Sequence, residues 1–175
     1  MYEVRIHSRG GQGGVTAARL IALAAFGDGR HATATPFYGA ERRGAPIVAF
    51  ARIDEHPIRI YSQVKNPDLV VVLDRTLVPV VDVLKGLKPG GAVLLNSGHP
   101  VDLDHLTVHR VDLTGIALDE DLVIAGEPVL DTPVLGAIAR LGVISLKSAT
   151  DAIAGMFQDP KNVSAAERAY REVVL

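Results

Sequence analysis

Asp68-Leu69-Val70-Val71-Val72-Leu73-Asp74 is an unbroken apolar run, β-branched at its centre, with an aspartate at each end. A strand with one wet face alternates apolar and polar side chains. A run that is apolar at every position has no wet face and suits a parallel sheet covered on both sides. After the turn Lys88-Pro89-Gly90-Gly91, Ala92–Asn96 (AVLLN) repeats the signature, and Thr107–Val111 is a weaker strand. Helix patterns lie around these runs. Val15–Phe26 (VTAARLIALAAF) is rich in Ala and Leu with a single arginine, so it reads as a mostly buried helix, stopped by Gly27-Asp28-Gly29. Leu77–Leu84 suits a helix that accommodates Pro79 in its first turn. Thr132–Leu141 carries Pro133 near its start, Ser148–Phe157 opens on Ser148-Ala149-Thr150-Asp151 as a capping box, and Ala165–Val174 is an amphipathic helix.

Tyr2–His7 alternates and reads as an edge-ready first strand. Ile47–Ile53 and Ile58–Val64 flank Asp54-Glu55-His56-Pro57, which predicts a strand–turn–strand hairpin, while Thr33–Arg43 has no period and reads as loop. The alternation predicts an α/β fold: a single three-layer domain over residues 1–175, with a largely parallel sheet, one antiparallel hairpin and helices on both faces. A chain of 175 residues is long enough for one such core.

Composition narrows the function. The formal net charge of −2 offers no basic field for nucleic acid or anionic lipid, and aromatics at 5% leave few platforms for base stacking. No apolar stretch is long enough to span a bilayer, and Met1–Arg5 lacks the apolar core of a secretory signal. The chain contains no cysteine, which removes disulfides, thiol catalysis and any cysteine-ligated iron–sulfur cluster from this polypeptide. A cytoplasmic protein is expected.

Ser8-Arg9-Gly10-Gly11-Gln12-Gly13-Gly14 joins the first strand to the first helix, with four glycines in five positions. Such a loop gathers unpaired N–H groups at the positive end of a helix dipole and lets a ligand or a second backbone come close. A dinucleotide fingerprint needs G-x-G-x-x-G; from Gly11 the frame gives Gly11, Gly13 and then Thr16, and no Walker lysine is present. Three readings follow: a phosphate cradle assisted by Arg9, a tight turn packed on another subunit, and a redox nucleotide site. In Pro36–Pro46, Glu41, Arg42 and Arg43 lie among an aromatic pair, glycines and prolines, which suits an interface or an anion contact, since guanidinium forks bind carboxylate and phosphate bidentately. The six histidines are scattered; His105 and His109 are four apart but fall in loop and strand, so no metal site is expected. No nucleophile–base arrangement appears, and no catalytic residue is assigned.

Arg9-Gly10-Gly11-Gln12-Gly13-Gly14-Val15 with its alanine-rich helix, and Tyr38-Gly39-Ala40-Glu41-Arg42-Arg43-Gly44-Ala45-Pro46 leading into a strand, resemble the gamma subunit of the 2-oxoacid:acceptor (pyruvate or ketoacid:ferredoxin) oxidoreductases. Asn66–Asp74, Leu87–Asn96 and Pro133-Val134-Leu135-Gly136-Ala137 continue the likeness in order along nearly the whole chain. The resemblance departs at Asp131-Thr132, before the helix, where such subunits commonly carry an asparagine, and no role is carried over there. It implies a multisubunit enzyme that converts a 2-oxoacid and coenzyme A to acyl-CoA and carbon dioxide, passing electrons to ferredoxin or, through a flavoprotein subunit, to NAD. Thiamine diphosphate, magnesium and [4Fe-4S] clusters would sit on alpha, beta and ferredoxin-like delta partners. This chain would pack on the catalytic subunits and contact coenzyme A through Arg9, Gly10, Gly11, Gln12, Gly13, Gly14, Glu41, Arg42 and Arg43. The alternative is a free-standing Rossmann-like nucleotide-binding module.

Overall fold

The computed structural model describes residues 1–37, 43–101, 103 and 106–175. Its centre is a six-stranded sheet. The strands are β1 (Tyr2–Arg9), β2 (His31–Phe37), β3 (Pro46–Asp54), β4 (Leu69–Val72), β5 (Ala92–Asn96) and β6 (Thr107–Val111), in the spatial order β2-β3-β1-β4-β5-β6. β1, β4, β5 and β6 run parallel, with Ile6 opposite Val71 and Val71 opposite Leu94. β3 is antiparallel to both β1 and β2. The apolar run at 69–73 is fully enclosed. Leu69, Val71 and Leu73 turn to the helical side of the sheet, and Val70 and Val72 to the other, as a period of two requires.

The helices are α1 (Gly14–Gly27), α2 (Leu113–Asp119), α3 (Pro133–Arg140), α4 (Leu146–Met156) and α5 (Lys161–Glu172), and their buried faces join one core with Val4, Ile6, Ala49 and Ala51 of the sheet. The opposite layer is thin. Over β4 and β5, among the described residues, it is formed by a 3-10 helix, Arg75–Leu77, and the turns after it, which bring Leu77 and Val83 onto Val70, Val72, Val93 and Leu95, with Val101 and Leu103 packed beside them. A two-residue hairpin, β7 (Val123–Ile124) and β8 (Glu127–Pro128), stands outside the main sheet. Among the described residues, no helix is long and apolar enough to cross a membrane.

Several expectations need correction. β1 is interior, not an edge: its polar alternates are buried or half-buried and find partners. Arg5 donates to the carbonyls of Val83 and Lys85 at 2.9 and 2.6 Å, and Arg52 of β3 pairs with Glu3 at 2.9 Å. Residues 33–37, expected as loop, belong to β2. Ala32 and Ala34 pack on the helical core while Thr33 and Thr35 take the other face. The antiparallel partner of β3 is therefore β2, and Ile58–Val64 forms no strand, because both edges of β3 are already bonded by β1 and β2. Leu77–Leu84 is not a helix; Pro79 lacks the donor a helix needs, and the segment turns through mostly i→i+3 bonds. The cap of α4 is Ser145, whose Oγ accepts from the Ser148 N–H at 3.1 Å, so the box expected at Ser148 starts three residues late. α2, capped by Asp112, was not foreseen.

Candidate functional site at the carboxyl rim of the sheet

The chain leaves β1 toward α1 on the helical side and leaves β4 toward the turns on the opposite side. Neighbouring parallel strands whose connections diverge leave a crevice at their carboxyl ends, where open α/β sheets bind ligands. Here that crevice lies between the glycine loop and Asp74–Thr76.

Arg9 closes it. Its guanidinium bonds Asp74 Oδ2 at 2.9 Å through Nε, Thr76 Oγ1 at 2.7 Å through Nη2 and the Gly44 carbonyl at 2.9 Å through Nη1. Burial would raise the pKa of Asp74, but the bonds from Thr76 and the Arg9 charge hold it below the ordinary value. Gln12 staples the loop: its side-chain carbonyl accepts from the Arg9 N–H at 2.8 Å and its main-chain carbonyl from the Leu130 N–H at 3.0 Å. Gly10 exchanges main-chain bonds with Gly44 and Ala45.

Gly13 and Gly14 need no side chain for different reasons. Gly13 caps α1 in the left-handed region, φ 87°, and a Cβ there would stand 2.8 Å from the Cβ of Asp131. A Cβ on Gly14 would strike the Oγ and, at 2.9 Å, the Cβ of buried Ser8. Gly13 offers no side-chain cap, so the first-turn N–H groups of Gly14, Val15 and Thr16 donate to nothing among the described residues. They face a cleft of about 440 Å³ that Arg19, Ile124 and Asp131 also line. A second cleft, about 360 Å³, lies over Gly10, Gly11, Gln12, Arg43 and Glu127, and a third, about 310 Å³, lies between Asp74 and Asn96–His99.

The sequence-derived residues thus divide. Arg9, Gly10, Gly11, Gln12 and Arg43 meet around one cleft, while Gly13 and Gly14 border the next. Arg43 reaches across to donate to the Ala125 carbonyl at 2.8 Å, on the β7–β8 turn. Glu41 and Arg42 lie outside the described residues, as does His105. Three contributors were missed: Arg19, the hairpin that places Ile124, Glu127 and Pro128 at the three clefts, and Asp131. The lone arginine of an otherwise apolar helix was the available signal for Arg19. Asp131 is 6% exposed, and burial pushes its carboxyl up to about 6 against the bonds from the Thr132 N–H and its own. Among the described residues no group of three or more His, Cys, Asp or Glu is placed to hold a metal ion.

The model of the pyruvate ferredoxin/flavodoxin oxidoreductase family matches residues 3–172. The chain belongs to this family. The pyruvate synthase subunit PorC of Methanothermobacter thermautotrophicus is 49% identical, over 99% of this chain and 96% of that one. The common gamma subunit of the pyruvate/ketoisovalerate oxidoreductases of Thermococcus kodakarensis is 46% identical, over 100% and 98%. Among solved structures, the pyruvate oxidoreductase subunit PORC of Thermotoga maritima superposes with a TM-score of 0.82 at 35% identity, covering 99% of this chain and 97% of the other. The likeness runs end to end with separate gamma-type subunits, so the chain is a gamma subunit of a 2-oxoacid:ferredoxin oxidoreductase.

Proposed function

We propose that this subunit serves the coenzyme A half of the reaction, binding phosphate groups of coenzyme A at the carboxyl rim while docked on the catalytic subunits. The observation that carries the reading is the open first turn of α1, three main-chain donors at the positive end of a fourteen-residue helix, facing a cleft lined by Arg19. Arg43, which among the described residues bonds the hairpin tip through one nitrogen, would offer its other donors to a second phosphate oxygen.

The chemistry itself would belong to partners. Thiamine diphosphate with magnesium on the alpha and beta chains would supply the carbanion-stabilising electron sink for decarboxylation. The [4Fe-4S] clusters would sit on a ferredoxin-like delta chain, since a chain without cysteine has no thiolates to ligate them. The balance is a 2-oxoacid and coenzyme A going to acyl-CoA and carbon dioxide, with two electrons leaving for ferredoxin, or for NAD through a flavoprotein, and the thiol proton leaving to solvent. In this reading the residues of this chain bind and orient.

The test is steady-state kinetics of the assembled enzyme carrying Arg19→Ala or Arg43→Ala. Each should raise the KM for coenzyme A about tenfold and leave the KM for the 2-oxoacid unchanged, the loss of one charge-assisted phosphate contact. An unchanged KM for coenzyme A in both variants would exclude the rim as its binding site.

A further inference from the structure

The cleft before α1 pairs its open donors with an acid. Asp131 precedes Thr132, the N-cap of α3, and its Cβ packs so closely on Gly13 that a side chain at position 13 would not fit. Its carboxyl accepts from the Thr132 N–H at 2.9 Å through Oδ1 and from its own N–H, and it lines the cleft. A buried carboxyl thus stands beside three N–H groups that have no partner among the described residues, without bonding to them.

We infer that Asp131 makes anion binding at the α1 first turn proton-coupled, the cleft holding a phosphate group well when this carboxyl carries its proton and poorly when it is ionised. The inference rests on the phosphate reading above and adds its regulation.

The charged groups around the carboxyl do not oppose this. α1 contributes Arg19 at the cleft wall, and β1 contributes Arg9, whose guanidinium is engaged by Asp74. α5 contributes Asn162, a neutral partner of Thr132, while Ile124 and Val129 from the hairpin and its return are apolar and Glu127 faces the neighbouring cleft. Burial alone dominates the perturbation of Asp131, with no cation among its causes. An anion arriving beside the carboxylate must push its pKa further up, because like charges at close range in a poorly solvated cleft disfavour joint ionisation. By linkage, the anion's affinity must fall as the free acid ionises above about pH 6.

Dephospho-coenzyme A is the probe, because its diphosphate diester keeps a fixed charge over the range that matters. Titrated calorimetrically into the full chain and into the assembled enzyme, it should bind about tenfold more weakly at about pH 7.5 than at about pH 5.5. In Asp131→Asn the affinity should be level across the range and match the wild type at the acid end. Measurable binding with no pH dependence in the wild type would overturn the coupling and leave the phosphate reading standing. A slope that survives in Asp131→Asn would assign it to another group and overturn the coupling equally. No binding at any pH by either preparation would remove the phosphate reading and the coupling with it.

Discussion

Ser8 and Gly14 touch across the turn that opens the site, and the fit leaves no room for a methyl group. A Cβ on Gly14 would meet two atoms of a side chain only 1% exposed, which cannot swing into solvent. Gly14→Ala should therefore destabilise the chain by about 1–3 kcal/mol in denaturant unfolding, and Ser8→Gly in the same chain should recover most of it. Recovery of nothing would mean that the strain lies in the backbone. Two buried titrating residues act in opposition. Asp131 is raised from 3.8 to about 6, so the folded state takes its proton first and this group adds stability as pH falls toward 4. His7 is lowered from 6.5 to about 4 by burial and the nearby Arg5, so the unfolded state takes that proton first and stability is lost over nearly the same interval. Each effect is on the order of 3 kcal/mol, and they largely cancel. Asp131→Asn should expose the His7 loss: its melting temperature should fall more steeply than that of the wild type between about pH 6.5 and about pH 4. Parallel curves would refute the Asp131 shift, and a variant curve that stays level would refute that of His7. The glycine loop was legible from composition alone, since four glycines between a strand and a helix have few uses. Asp131 was not, because nothing local distinguishes a buried aspartate from a solvated one; α1, α3 and the hairpin return must first converge on it.

Helices α3 and α5 cross at a point where one residue decides the distance. A Cβ on Gly136 would overlap the carbonyl of Ala166 and stand 2.9 Å from its Cα, backbone atoms that cannot rotate away. Ala165, Ala166 and Ala169 on α5 complete a seam of small side chains that lets the helices approach closely. Gly136→Ala should force them apart and cost about 3 kcal/mol or more, read as a lowered denaturant midpoint; a cost below about 1 kcal/mol would mean that the crossing yields. At this scale the sequence spoke clearly where one element satisfied itself. The apolar runs at 69–72 and 92–96 and the Ala-rich α1 appear where their patterns put them. It misled where partnership decided. β2 carries Pro36 and read as loop, yet an edge strand tolerates a proline whose missing N–H would face solvent. Ile58–Val64 had the alternation of a strand, but both edges of β3, the partner expected for it, are taken by β1 and β2.

For the molecule as a whole, the uneven coverage of the sheet matters most. The helices α1–α5 hold one side, while among the described residues the other side of β4 and β5 is held by a 3-10 turn, short-range bonds and a few anchors, chiefly Leu77 and Val83. Val80 in that layer is 63% exposed. Opening it would uncover Val70, Val72, Val93 and Leu95 while the helical core stayed intact, so this layer should have the smallest opening energy of any buried part of the fold. Deuterium should accordingly enter the amides of 75–87 well before those of α1 and β1. Similar protection factors in the two regions would contradict that order. The asymmetry also sets where a protease would first cut the lone subunit and which flank would be stickiest during synthesis. A gamma chain waiting for its enzyme would need that flank chaperoned before any other.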